Sequence, residues 1–264
     1  MSPLIFYANM ATYKKKGYKP SDKKDQQQVD EIQSTTAEVF NTLDETASKS
    51  EQWIEKNSKL LFNSLIVIVV FVLGLLGYNK YISEPAELDA ANQLAFPRKY
   101  FNDAAVAGSS IDSLLVLGLE GADGKYGFID VAAKYSGTKS GNLANYYAGV
   151  SYLQLKEYAK AIEYLEQFNS DDELIGPVAL GAIGDAFADI DQPEQALEYY
   201  IKAANKKDNT FTAPLFLQKA GFTAMELKKF GKAEALFTQI KEQYATSEQG
   251  KDADKYINAA KYAQ

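Results

Sequence analysis

Asp185 and Asp189 stand four residues apart in the phrase GDAFADIDQPE, so on a helix their carboxylates share one face. Paired carboxylates at that spacing can divide acid and base roles or share a cation. The other components of either chemistry are missing. The chain has no histidine and no cysteine, which removes His-based nucleophilic dyads and triads, haem ligation by histidine and Cys/His zinc sites. Two carboxylates without a third ligand or a Gly-bearing loop do not compose a calcium site. The glycine-dense stretch GLEGADGKYG at 118–127 lacks the Lys-Ser/Thr ending and the strand-to-helix setting of a phosphate loop. No catalytic, cofactor or metal residue is assigned, and the expectation is a protein that binds without performing chemistry.

The elements that carry the two aspartates recur along the chain. Ala148-Gly149, Ile183-Gly184 and Ala220-Gly221 are spaced by 35 and 37 residues, close to the 34-residue period of helix–turn–helix arrays. At matching distances follow a small residue, Ala161, Ala196 and Ala233, and a bulky one, Leu165, Tyr200 and Phe237. Tyr152 and Phe187 add an aromatic to the first helix, where the third unit has Ala224. Gly and Ala let two antiparallel helices approach closely while the large side chain fills the space beside them. Asp191-Gln192-Pro193-Glu194 reads as an N-cap with a capping-box glutamate, and Pro177 and Pro214 mark new helix starts.

Ser247 to Tyr262, with Ala253, Ile257 and Ala260 on one face, is expected to close the array. Pro85 to Val106 and Tyr126 to Tyr135 are expected as helices of an irregular first unit, with 118–127 as a tight hairpin between them.

These phrases, YYAGVSYLQLKEYAKAIEYLEQF above all, resemble tetratricopeptide repeats. In such repeats the first helix of each pair lines a concave face. The resemblance places Leu143, Tyr146, Val150, Leu153 and Gln154 there from unit one, Val178, Asp185 and Asp189 from unit two, and Leu215, Gln218, Phe222, Met225 and Glu226 from unit three. Such a trough is apolar with an acidic edge. It lacks the Lys, Arg and Asn with which repeat proteins grip acidic peptide termini, and suits an apolar segment with basic flanks. The same aliphatic stripes serve equally well as core, filled by neighbouring helices of the chain itself.

Upstream, Leu60 to Tyr78 forms a run of nineteen uncharged residues, LLFNSLIVIVVFVLGLLGY. As a helix this spans about 28 Å, close to the ~30 Å hydrocarbon core of a bilayer. The plan is therefore all-α: a basic disordered tail at 1–24, an amphipathic helix at 25–59, a transmembrane helix at 60–78, and a repeat domain at 79–264. The stripe Val29, Ile32, Thr36, Val39, Leu43, Thr46, Ser50 and Trp53 gives the second segment a face for the membrane surface or a partner. Met10 offers an alternative start.

Residues 1–59 hold nine lysines and nine acidic residues, which leaves 19 basic and 26 acidic residues beyond the anchor. An acidic domain has no basic stripe to displace counterions from phosphates, so nucleic acid is excluded as a partner. Lys49, Lys56 and Lys59 before the anchor, against Lys80 and Arg98 after it, favour a cytoplasmic N-terminus and a periplasmic C-terminal domain.

The whole plan, with GFIDVAAKYSGTKSGNLANYYAGVSYLQLKEYAKAIEYL at 127–165, resembles the YfgM-type ancillary subunits of the SecYEG translocon. The resemblance implies a single-pass inner-membrane protein that partners a PpiD-like periplasmic chaperone and meets newly translocated client polypeptides. The alternative is a repeat scaffold of another cell-envelope secretion or assembly complex.

Overall fold

The computed structural model describes residues 53–108 and 110–263. The tail expected at 1–24 and all but the end of the amphipathic helix expected at 25–59 lie outside the described residues. The chain divides into two units, Met1–Gly74 and Leu75–Gln264.

In the first unit the described residues belong to a helix that runs from Trp53 to Val106, and its apolar stretch is long enough to cross a bilayer and wholly unburied. Phe62, Val67, Val70 and Phe71 are each more than 60% exposed, an arrangement that water would not favour. Ser64 donates its hydroxyl to the Leu61 carbonyl at 2.8 Å, so it brings no unpaired donor into the run.

The helix does not stop at Tyr78, where the sequence placed a boundary. It widens into a π turn at Asn79–Ser83, with the Glu84 amide bonded to the Asn79 carbonyl, and continues as α1 (Glu84–Val106). Pro85 explains the widening, because it supplies no N–H for the ordinary ladder and its ring crowds the preceding turn. In α1 the residues Ala90, Leu94, Pro97 and Ala104 are buried, a 4-3-7 spacing that turns one stripe inward.

The next helix, α2 (Ile111–Glu120), was not foreseen and takes up the first three residues of the expected hairpin, 118–120. Only the part of GLEGADGKYG beyond Glu120 turns, through Gly121 at φ 82° and an Ala122–Lys125 bridge. A Cβ on Gly121 would run into the Lys125 carbonyl, so glycine is required there on both counts. A short α3 (Phe128–Lys134) follows, two residues inside its expected start.

Three helix pairs come next: α4 (Lys139–Gln154) with α5 (Tyr158–Gln167), α6 (Ile175–Asp189) with α7 (Pro193–Lys206), and α8 (Thr212–Glu226) with α9 (Phe230–Gln243). Helices α10 (Glu248–Lys251) and α11 (Ala253–Tyr262) end the chain, with Ala253 and Ala260 buried and Ile257 packed against the core. Most helices pack mainly on their sequence neighbours, α6 also touches both α4 and α8, and α11 packs mainly on α9.

The pairs are built alike. Gly149 faces Leu165, Gly184 faces Tyr200 and Gly221 faces Phe237, each so closely that a Cβ would clash. Ala161, Ala196 and Ala233 have no exposed surface. The turns match as well: Lys156, Asp191 and Lys228 take positive φ of 62°, 58° and 57°, and the next amide reaches back to Tyr152, Phe187 or Ala224. These are helix-closing turns of the six-to-one type, with a side chain where glycine is usual.

Asp191 is therefore the last residue of that closing turn and caps nothing, contrary to its reading as an N-cap. The N-cap of α7 is Gln192, without a side-chain bond, followed by Pro193 at the first helical position. Pro177 and Pro214 lie in the first turns of α6 and α8 as expected.

Candidate functional site

The residues proposed for the concave face lie on α4, α6 and α8, the first helices of the three pairs. Most of the aliphatic ones are already occupied. Leu143, Tyr146, Val150 and Leu153 are half-buried against core groups, and the Tyr146 ring lies 5.2 Å from that of Phe168. Burial pushes the Tyr146 phenol up from its ordinary pKa, with the neighbouring Tyr147 a lesser cause. Val178, Leu215 and Met225 pack against the core that α7, α8, α9 and α11 share. Phe222 is 43% exposed, and its ring meets Tyr256 of α11 edge-on at 4.8 Å and Phe237 at 5.5 Å. Gln218 is half-buried and Glu226 exposed.

What stays open is a cleft of about 390 Å³ lined by Leu153, Gln154, Asp185, Ala188, Asp189 and Tyr200. It brings together the end of unit one and the acidic pair of unit two, and it does not include the unit-three residues.

The two carboxylates have different surroundings. Asp185 accepts the Tyr200 hydroxyl at 2.7 Å and the Lys219 ammonium at 2.6 Å, so one side chain joins α6, α7 and α8. Burial, then the bond to Asp185, raises the Tyr200 pKa and keeps the phenol protonated as the donor. Lys219 lies 5.5 Å above the Tyr200 ring as well. Asp189, one turn further on, is exposed on the open side. It neighbours Tyr158, whose pKa rises through burial first and then through the charge and hydrogen bonding of Asp189.

Asp185 is thus engaged by Tyr200 and Lys219, while Asp189 lies exposed toward the cleft mouth. Such a division offers a docking point for one cationic group beside the small apolar surface of Leu153 and Ala188. No group of three or more Asp, Glu, His or Cys side chains among the described residues is placed to hold a metal.

Residues outside the expected set hold this arrangement. A polar side chain takes up amides at the entry of each first helix: Thr138 caps α4 by accepting from Gly141, while Asp172 accepts from Leu174 and Ile175, and Asn209 from Phe211 and Thr212, in turns just ahead of the N-caps of α6 and α8. Ser247 does the same for α10 through Gly250. The signal was legible as Thr, Asp, Asn and Ser at nearly even spacing before each helix. Asn142 and Asn169 exchange hydrogen bonds between the entries of the first two pairs, and Asn209 donates to the Glu173 carbonyl between the next two.

No family model matches the chain, and neither curated proteins nor solved structures yield a match to it.

Proposed function

We propose that this protein is a membrane-tethered interaction scaffold, a single-pass inner-membrane protein whose C-terminal domain is a tetratricopeptide-repeat array facing the periplasm. Its partners would be the SecYEG translocon and a PpiD-like chaperone, and its task the reception or transfer of newly translocated chains. The observation that carries this reading is the thrice-repeated pair, glycine against a bulky side chain with the same closing turn, in a chain that also holds an apolar helix with no protein cover. Trp53 before that apolar stretch and Tyr78 and Tyr81 after it are 59%, 56% and 81% exposed, as aromatic side chains at the two interfaces of a bilayer would be.

Binding in this reading is by presentation. A segment with a Lys or Arg would set its cation against Asp189 and its aliphatic stem against Leu153 and Ala188, with Gln154 free to pair with its backbone. The contact area is small, so affinity per site is weak. Tethering compensates by raising the local concentration of the cleft where chains leave the membrane.

The test is affinity purification of the tagged full chain from native membranes in mild detergent, with partners identified by mass spectrometry. SecYEG together with a PpiD-like chaperone is the expected recovery. Recovery of a different envelope assembly without them would replace the translocon reading with a scaffold for that assembly.

A further inference from the structure

A pocket of about 540 Å³ lies at the start of the second unit, apart from the acidic cleft, and Lys139 is the only lining residue that belongs to a repeat pair. Its apolar wall is Leu76, 59% exposed, from the end of the apolar run. The polar wall comes from the π turn and the first turn of α1, through Lys80, Ser83 and Glu84, and from Lys139 at the start of α4.

The charges there are unequally committed. Glu87 is taken up: it accepts the Lys139 amide at 2.6 Å, the Ser140 amide at 3.0 Å and the Ser140 hydroxyl at 2.7 Å. Lys80 and Glu84 have only a loose contact of 3.5 Å, both largely exposed, of the kind that contributes little. Lys139 extends from a different element; it makes no close ion pair among the described residues, and its charge acts on Glu87 only as the least of the causes that lower that carboxyl's pKa. The pocket therefore presents two loosely engaged cations, Lys80 and Lys139, and one loosely engaged carboxylate, Glu84, around an apolar wall, with a π turn of the sort that recurs at functional sites.

We propose that this pocket holds the head group of an amine-bearing phospholipid, its phosphate between Lys80 and Lys139, its ammonium on Glu84 and its glycerol end against Leu76. The inference rests on the membrane-anchored reading above. An amine-bearing head group fits both signs of charge, because its ammonium donates hydrogen bonds that a quaternary ammonium cannot. A simple anionic lipid would leave Glu84 facing its phosphate, and a free phosphate ion would leave Leu76 without a neighbour.

The experiment uses the full chain in mild detergent, with native mass spectrometry after addition of phosphatidylethanolamine or phosphatidylcholine. The wild type is expected to retain phosphatidylethanolamine about tenfold better than phosphatidylcholine, the worth of one charge-assisted hydrogen bond. Lys139→Gln should lower retention of both lipids by about as much, for the same reason. Glu84→Gln should make the two lipids equal. Equal retention of the two lipids by the wild type, or unchanged retention in Lys139→Gln, would overturn the proposal. Alkaline carbonate extraction of native membranes separates the two ideas. Release of the wild-type chain removes the anchor and the lipid site together, whereas a chain that stays in the membrane with either overturning result loses the lipid site alone.

Discussion

A Cβ on Gly184 would stand 2.6 Å from Cε1 of Tyr200, inside any tolerable contact, so the first and second helices of that pair touch backbone to ring. Replacement Gly184→Ala gains about 1 kcal/mol of helix propensity and loses about 1–3 kcal/mol to overpacking. The ring is fixed by its bond to Asp185 and cannot swing aside. A net loss is expected, seen as a lower urea midpoint for the full chain in detergent. Gly231→Ala is the matched control: nothing lies within 4 Å of its added Cβ, and the midpoint should rise.

The Asp185–Lys219 pair can be weighed by a double-mutant cycle with Asp185→Asn and Lys219→Met. Both side chains are 37% exposed, so solvent screens their attraction. The coupling energy should be about 0.5–1 kcal/mol. A coupling well above that would mean the pair is far drier than its exposure indicates.

Tyr244 makes the domain sensitive to alkali. Burial and then the bond to Asp208 raise its pKa from 10.0 to about 12. The folded state therefore keeps a proton that the unfolded chain releases earlier. This contribution is whole below pH 10.0 and is lost as the pH climbs toward about 12. Tyr244→Phe should flatten that part of the pH profile of the urea midpoint, and Tyr199, also raised to about 12, and Tyr200, raised as well, should retain the remaining slope.

Glu87 predicts the opposite sensitivity. Burial opposes its ionisation, yet the bonds from Ser140 and from the Lys139 and Ser140 amides outweigh burial and hold its pKa below 4.5. Its contribution is present above pH 4.5 and disappears as the pH falls through the lowered folded value. Glu87→Ala removes a carboxylate that satisfies the first amides of α4 and should cost about 1–2 kcal/mol, as other lost caps do. Circular dichroism at neutral and acidic pH would show the difference between variant and wild type shrinking in acid.

The cleft should respond to charge without responding in stability. Asp189 and Glu226 are exposed, so Asp189→Lys and Glu226→Lys should each move the urea midpoint by no more than about 0.5 kcal/mol equivalent. Only Asp189→Lys should reduce recovery of partners from native membranes, because Glu226 lies outside the cleft. Tyr146→Ala and Phe222→Ala are poor probes of binding, since both rings pack within the fold.

How much the sequence revealed depended on range. Gly149, Gly184 and Gly221 could be aligned with their large partners because each contact spans one turn and recurs. Helix α2 escaped because IDSLLVLGLE is short, carries Gly118 and abuts more glycines. Gly118 is there for close packing: a Cβ on it would sit 3.3 Å from the Phe128 ring and 3.4 Å from the Pro97 carbonyl. The Asp191 cap failed because Asp serves both a cap and a left-handed turn, and only the backbone angle separates them.

The candidate site was legible as a set of helix faces and illegible as an open surface. Asp185 and Asp189 share a face as their spacing requires, but Lys219 reaches Asp185 from 34 residues away and nothing local announces it. Tyr256 likewise covers Phe222 from beyond the third pair. Periodicity identifies which side chains turn inward, and says nothing of which distant residue meets them there.

Because most helices of the second unit rest mainly on helices close to them in sequence, most of its contacts close short loops. Chains with that economy fold quickly, since little entropy is lost before contacts form. The order of assembly can then follow the order of synthesis. The hairpin of α4 and α5 has all of its internal contacts once Gln167 has emerged, before α8 exists, so a domain delivered N-terminus first can take shape while the rest is still arriving.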